Sequence, residues 1–139
     1  MVDSKTFVQK LNKALAYEYA ATIQYVQHAA VITGAQYDAI KKELVVHAGE
    51  ELQHAILVSE IINDVDGIPT VDVAKINISE NALTMLEQDL EGEQTAIDDY
   101  KELISMATEL NEPGIRQTLE KILIEEEEHK RDLLGALGR

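Results

Sequence analysis

The chain has 139 residues, of which 26 are acidic and 12 basic, a formal charge of −14 and no cysteine. That length supports one hydrophobic core, so residues 1–139 are expected to form a single domain. The absence of thiols excludes disulfides, zinc–thiolate sites, iron–sulfur clusters and cysteine nucleophiles, and the negative field disfavours nucleic acid and anionic membranes while attracting cations.

Taken in chain order, the first apolar seam runs through Phe7, Leu11, Ala14, Glu18, Thr22, Tyr25, Ala29 and Ile32 at spacings of three and four. It predicts a helix over about 4–33, started by Asp3 or Ser4 and stopped at Gly34. A second helix over about 36–65 follows from Ile40, Leu44, His47, Glu51, His54, Val58, Ile61 and Val65. Helices of this size are on the order of 45 Å long. The stretch from Asp66 to Ile78 has no helical period and begins Asp66-Gly67-Ile68-Pro69, so 66–79 is read as a connection long enough to cross the whole bundle. Ser79 is the expected cap of a third helix over about 80–110, with its seam at Leu83, Leu86, Leu90, Glu93, Ile97, Tyr100, Ile104 and Ala107. After Asn111-Glu112-Pro113-Gly114, a fourth helix over about 113–137 uses Ile115, Leu119, Ile122, Glu126, His129 and Leu133. The expected fold is all-α, a four-helix bundle of two antiparallel hairpins joined by a long crossover.

The two halves repeat. Glu18 to Glu51 and Glu93 to Glu126 both span 33 residues (51 − 18, 126 − 93), and each second glutamate opens Glu-x-x-His. A shift of 75 superposes Glu18 on Glu93, Tyr25 on Tyr100, Glu51 on Glu126 and His54 on His129. With only four His and five Tyr in the chain, these matches are hard to assign to chance.

Each seam thus places a carboxylate where apolar packing would otherwise continue. Four buried carboxylates repel one another and must take up protons or cations, and two divalent ions balance four carboxylates. In Glu51-x-x-His54 and Glu126-x-x-His129 the three-residue spacing turns carboxylate and imidazole to the same axis. One Glu from each of two helices plus two Glu-x-x-His motifs matches the ligand set known from di-iron and di-manganese carboxylate bundles. Oxygen and imidazole donors without thiolate suit iron or manganese, with zinc competing in vitro, and two Fe ions are expected. Two Fe(II) ions held side by side can each give one electron to a two-electron oxidant, which is ferroxidase chemistry. Tyr25 and Tyr100 each lie seven residues past a glutamate (25 − 18, 100 − 93), where a phenol can hydrogen-bond a ligand or lend an electron. Tyr25 is the candidate for a catalytic role, while Tyr100 reads first as a core tyrosine.

The chain resembles the bacterioferritins of the ferritin-like superfamily over nearly its whole length. The resemblance is carried by Leu11-Asn12-Lys13 through Glu18, Gln24-Tyr25 with His28-Ala29, Glu51-x-x-His54, Val65-Asp66-Gly67-Ile68-Pro69, Asp89-Leu90 before Glu93, and Glu125 to His129. It implies that Glu18 and His54 ligate one iron, Glu93 and His129 the other, and that Glu51 and Glu126 bridge. It also implies oxidation of Fe(II) by O2 or H2O2 for iron storage or detoxification, and a homo-oligomer, in many relatives a hollow cage. Two features depart from the family. Leu52 stands where bacterioferritins carry a haem-ligating Met after the first bridging Glu, so no haem is expected. The fifth helix of cage-forming relatives has no counterpart before Arg139.

Other readings stay open at this level. His47, one turn before Glu51, suits an additional ligand, a partner of a ligand, a way station for incoming iron, or a hydrogen-bonded core histidine. His28 lies off the Glu18 seam and reads as packing or interface. Glu125 and Glu128 read as a solvated face, and Glu127 as lining an interface or cavity. Rival functions are a rubrerythrin-like or oxygenase-like di-iron enzyme, or a helical bundle without catalysis that binds metal or only partners. A DNA-protecting mini-ferritin fits less well, because its site usually spans two subunits and the charge here repels DNA. No run approaches the roughly 20 apolar residues of a membrane span, and Met1 to Phe7 lack a signal-peptide layout, so a cytoplasmic protein without nucleic-acid or membrane partners is expected.

Overall fold

The computed structural model describes residues 1–139. The chain forms α1 (Ser4–Val31), a 3-10 turn (Ala35–Tyr37), α2 (Asp38–Asp64), α3 (Ala82–Glu109) and α4 (Pro113–Ala136), with no strands. It is an all-α four-helix bundle.

Local chemistry accounts for the ends. The Asp3 carboxylate accepts the Thr6 amide at 2.7 Å and starts α1. The helix stops at Val31, short of the expected Gly34, which at φ 123° opens the 3-10 turn instead of capping α1. α2 ends where Asp66 turns left-handed at φ 62° and the Gly67 amide reaches back to the Ile62 carbonyl at 2.8 Å. A Cβ on Gly67 would stand 2.8 Å from Val8 Cγ1 and 2.9 Å from Ile62 Cγ2, so only glycine lets the chain pass so close to α1. The cap of α3 is Asn81 and not the expected Ser79: Asn81 Oδ1 accepts the Thr84 amide at 3.0 Å, while Ser79 Oγ accepts the Asn81 amide one step earlier. Both residue types cap helices well, and a seam beginning farther along the helix does not choose between them. α3 begins at Ala82; the expected seam residue Leu83 faces solvent at 51% exposure, and Met85 and Leu86 supply the first inward side chains. Pro113 sits in the first turn of α4, where its missing N–H costs nothing.

The crossover, residues 65–81, lies along α1 and fixes the topology. The Asn12 side chain donates to the Ile68 carbonyl and accepts the Thr70 amide, the Ala74 amide donates to the Ala16 carbonyl, and the Asn77 amide donates to Gln24 Oε1. The chain therefore travels from the start of α1 toward its end before α3 begins. α3 runs antiparallel to α1 and parallel to α2, consistent with Lys10–Glu102 and Lys13–Asp99 pairs across the two helices.

The apolar core is divided. One cluster gathers Phe7, Leu11, Val58, Ile62, Leu103 and Leu119, and another gathers Tyr25, Ile32, Leu44, Leu86 and Leu133. Between them lies a polar layer. No helix is long and apolar enough to cross a membrane.

Candidate metal centre

Each helix brings its polar residues to that layer by the same inward face that carries its apolar seam. Glu18 comes from α1, Glu51 and His54 from α2, Glu93 from α3, and Glu126 and His129 from α4, all at 2% exposure or less. Two overlapping groups result, Glu18, Glu51, His54 and Glu126, and Glu51, Glu93, Glu126 and His129, in each of which one atom per residue lies within 4.8 Å of the rest. Glu51 and Glu126 belong to both groups. His54 Nδ1 is 2.8 Å from Glu126 Oε1, 3.5 Å from Glu51 Oε1 and 3.6 Å from Glu18 Oε2. On the other side His129 Nδ1 is 3.0 Å from Glu51 Oε1 and 3.3 Å from Glu93 Oε1.

These contacts are close without being hydrogen-bonded throughout. Glu18 Oε2, Glu51 Oε1, Glu93 Oε2, both Glu126 oxygens and His54 Nδ1 are buried with no hydrogen-bond partner. So many orphaned buried donor atoms facing one another are costly unless a cation satisfies them. The donor set fits that test: four carboxylates and two imidazoles, apportioned in two groups with two carboxylates shared, suit a pair of divalent ions of the iron, manganese or zinc kind.

The electrostatics agree. Burial, then the charges of Glu18 and Glu93, push the Glu51 carboxyl well above the ordinary carboxylate range. Burial and then Glu51, Glu93 and Glu18 do the same to Glu126. Burial opposes the charged form of His129, but Glu93 and Glu126 outweigh it and push this imidazole up to about 9. His54 is raised further, with Glu126, Glu18 and Glu51 overcoming its burial. Without metal the centre holds protons at the atoms that would bind it.

The tyrosines cross over between the hairpins. Tyr25 of α1 donates to Glu93 Oε1 at 2.6 Å, and Tyr100 of α3 donates to Glu18 Oε1 at 2.7 Å. Burial first, and then the nearby carboxylates, raise both phenols well above their ordinary range, so they stay protonated and donate. Tyr100 is therefore more than a core tyrosine: it makes the same contact as Tyr25.

The structure also places the residues whose roles the sequence reading left open or passed over. Glu125 is not simply solvated, because its Oε1 lies 3.4 Å from His54 Nε2 at the outer side of the ring. Glu50 stands likewise 3.4 Å from His129 Nε2. The repeat offset of 75 pairs Glu50 with Glu125, a signal the seams alone did not carry. Carboxylates behind a ligand histidine orient the ring and raise its basicity. Glu127 is half-buried and Glu128 exposed. His28 is fully buried and belongs to no outer interface: its Nδ1 is 2.9 Å from both Asp89 oxygens and its Nε2 is 3.1 Å from the Asn77 carbonyl. Gln24 donates to the same Asp89 at 2.8 Å and accepts the Asn77 amide. This network ties α1, α3 and the crossover together beside the centre. Asp89 and Gln24 fall outside the seams, because periodicity scores apolar residues and passes over a buried polar pair. His47 is buried, with Nε2 3.1 Å from Asp132 Oδ2 and its ring stacked on that of His129 at a centroid distance of 4.0 Å.

A cavity of about 440 Å³ opens between α1, α3 and the crossover. Its lining includes Lys75 and Glu91 as well as Glu18, Glu51 and Glu93, so it reaches the ligands.

The fold and this buried set of carboxylates and histidines define a four-helix-bundle protein with a candidate metal centre in its core. The ferritin-like domain family model matches residues 8–139, and the chain belongs to that ferritin-like family. Within it the chain is related to bacterioferritins. It is 30% identical to the bacterioferritin of Brucella melitensis, over 94% of this chain and 86% of that protein. Among solved structures it resembles a ferritin-like diiron-carboxylate protein of Bacillus anthracis, with TM-score 0.91, 28% identity and 96% of each chain covered. It also resembles the dodecameric thioferritin, a bacterioferritin-related protein, of Bacteroides fragilis, with TM-score 0.90, 30% identity, and 99% and 87% covered. A nutrient stress-induced DNA-binding protein of Nostoc is 27% identical over 93% of this chain and 76% of its own length.

Proposed function

We propose that the protein is a ferroxidase, taking up two Fe(II) ions as substrate and oxidising them for iron storage or detoxification. The observation that carries this reading is a pair of donor groups sharing Glu51 and Glu126 inside one subunit. Glu18 with His54 would hold one ion, Glu93 with His129 the other, and Glu51 and Glu126 would bridge. Each Fe(II) gives up one electron; O2 with two protons becomes H2O2, or H2O2 with two protons becomes two waters.

The chain's own part is positional and protonic. Uptake of iron drives protons from Glu51, Glu126, His54 and His129, which the metal-free protein retains through their raised pKa values. Tyr25 and Tyr100 keep Glu93 and Glu18 oriented through their hydroxyl bonds, and Tyr25, whose ring edge also meets His47 and His129, is the proposed redox-active side chain. The cavity past Lys75 and Glu91 offers Fe(II) and oxidant a way in. Ile23 and Val26 on α1, and Leu52 and Ile56 on α2, are exposed apolar side chains whose burial against further copies would support a homo-oligomer, as in the dodecameric Bacteroides fragilis relative. With no sulfur or nitrogen donor at Leu52, that surface has no haem ligand of the bacterioferritin kind. The charge of −14 favours cations over nucleic acid, and the proposed iron handling, in keeping with the bacterioferritin relatives, would take place in the cytoplasm.

The test is anaerobic Fe(II) titration followed by rapid mixing with O2 or H2O2. Two tightly bound Fe(II) per chain, oxidised together in one fast phase, are expected. Zero or one would overturn the reading.

A further inference from the structure

The repeat that generates the centre does not account for His47. Its partner at the offset of 75 is Ile122, so the two-fold logic of the site requires no histidine there. Yet His47 is 1% exposed, and its Nε2 points between α2 and α4 to Asp132 Oδ2, 3.1 Å away. Glu43, one turn earlier on α2, completes a group whose three donor atoms lie within 4.8 Å of one another, with Glu43 and Asp132 exposed and His47 buried. A histidine that needs only a hydrogen-bond acceptor has one in Asp132; a second carboxylate at the same point adds repulsion. No lysine or arginine pairs with either acid, and the ion pair of Asp132 is with His47 itself.

The remaining features also suit a metal. Two donors each about 2.1 Å from an ion and near a right angle stand about 3 Å apart, close to the spacing between His47 Nε2 and Asp132. Without metal the Asp132 carboxylate, which can only accept, holds the ring proton on Nε2; a bound cation would take that proton's place and leave it to the buried, unpartnered Nδ1. One imidazole and two carboxylates suit Fe(II), Mn(II), Co(II) or Zn(II).

We propose that Glu43, His47 and Asp132 form a third divalent-cation site at the α2/α4 surface, which passes its ion inward along the stacked His47 and His129 rings to the dinuclear centre. It lies on the face opposite the cavity between α1 and α3, and so provides a second route. The binding claim stands on these three residues alone; the transfer claim rests on the dinuclear reading above.

Co(II), which binds such donors and is stable in air, is the probe. Titration of the full chain, read by visible absorption and by metal analysis, is expected to give three equivalents, the third weaker. Asp132→Asn and Glu43→Gln, surface changes that leave the core intact, should leave two and weaken the third by at least the roughly 10–100-fold that a lost partner costs a metal-bound histidine. A Glu51→Ala/Glu126→Ala chain should retain one, and crystals grown with Co(II) should show an anomalous peak between His47 Nε2 and Asp132. Two equivalents in the unaltered chain, unchanged by Asp132→Asn, would overturn the third site and leave the dinuclear reading standing. One equivalent, lost in Asp132→Asn, would leave the third site standing and remove the dinuclear one. Slower filling of the inner centre in Asp132→Asn is the expected sign of transfer, and an unchanged filling rate would overturn that role.

Discussion

The hairpin α1/α2 and the hairpin α3/α4 are copies where they meet the polar layer and share fewer residues elsewhere, such as Leu11 with Leu86 and Leu44 with Leu119. At the offset of 75 they share Glu18 and Glu93, Tyr25 and Tyr100, Glu50 and Glu125, Glu51 and Glu126, His54 and His129. They differ at His28 against Leu103, Gln24 against Asp99, and His47 against Ile122. What is duplicated in the polar layer is what two like cations need, while the unmatched His28, Gln24 and His47 fasten the crossover or reach outward between α2 and α4. Neither hairpin is complete alone, because each tyrosine holds the carboxylate of the other.

The largest effect is expected where the first hairpin departs from the second. Replacing His28 by leucine, the residue its counterpart carries, leaves Asp89 buried without its main partner and should cost about 3–5 kcal/mol, measured by urea unfolding. Faster hydrogen exchange at the Ala74 and Asn77 amides should accompany it, since the crossover loses its anchor. A loss below about 1 kcal/mol would show that the network is not what holds the crossover.

The duplicated positions should respond as a pair. Glu51→Ala and Glu126→Ala are each expected to slow single-turnover Fe(II) oxidation by roughly 100-fold or more, about 3 kcal/mol of barrier. The metal-free melting temperature should stay level or rise, because one of four crowded carboxyls is gone. Markedly unequal rate losses in stopped-flow traces would break the equivalence of the halves.

Tyr25→Phe and Tyr100→Phe each remove a hydrogen bond to a buried carboxylate and should cost about 1–3 kcal/mol of stability alike. Oxidation should separate them. Tyr25→Phe is expected to slow the fast phase more than Tyr100→Phe, and a radical signal in rapid-freeze magnetic resonance should vanish only in the former. Equal kinetics would return Tyr25 to a purely structural role.

The smallest difference lies between the two inner histidines. In the metal-free protein His129 is raised to about 9 from an ordinary 6.5, and His54 is raised further. Because the folded state binds these protons more tightly, their stabilisation is fully present below pH 6.5 and lost as pH rises through about 9; Glu51 and Glu126, also raised, act with the same sign. Melting temperature of the metal-free chain should therefore fall between pH 6 and pH 9.5, by on the order of 5 °C. Proton NMR should find His129 releasing its proton before His54. Bound metal should reverse the slope, since ligation requires the same atoms deprotonated.

Much of this arrangement was legible in the residues. The seams located four helices and the Glu-x-x-His repeat marked the six side chains that converge in the layer, because helical spacing alone dictates which residues share a face. Helix ends were less legible: Ser79 and Asn81 both have the chemistry of a cap, and only the path of the crossover selects Asn81.

By itself, then, the sequence determined the helical class, the long crossover and the inward direction of Glu18, Glu51, His54, Glu93, Glu126 and His129, since each of these depends on spacing along a single element. Only the tertiary structure decided that Tyr25 serves Glu93 and not its own neighbour Glu18, that His28 clamps the crossover through Asp89, and that His47 meets Asp132. These are contacts between elements 61 to 85 residues apart in sequence. Their partners are set by how one helix is rotated and shifted against another, and no periodicity within one helix encodes that.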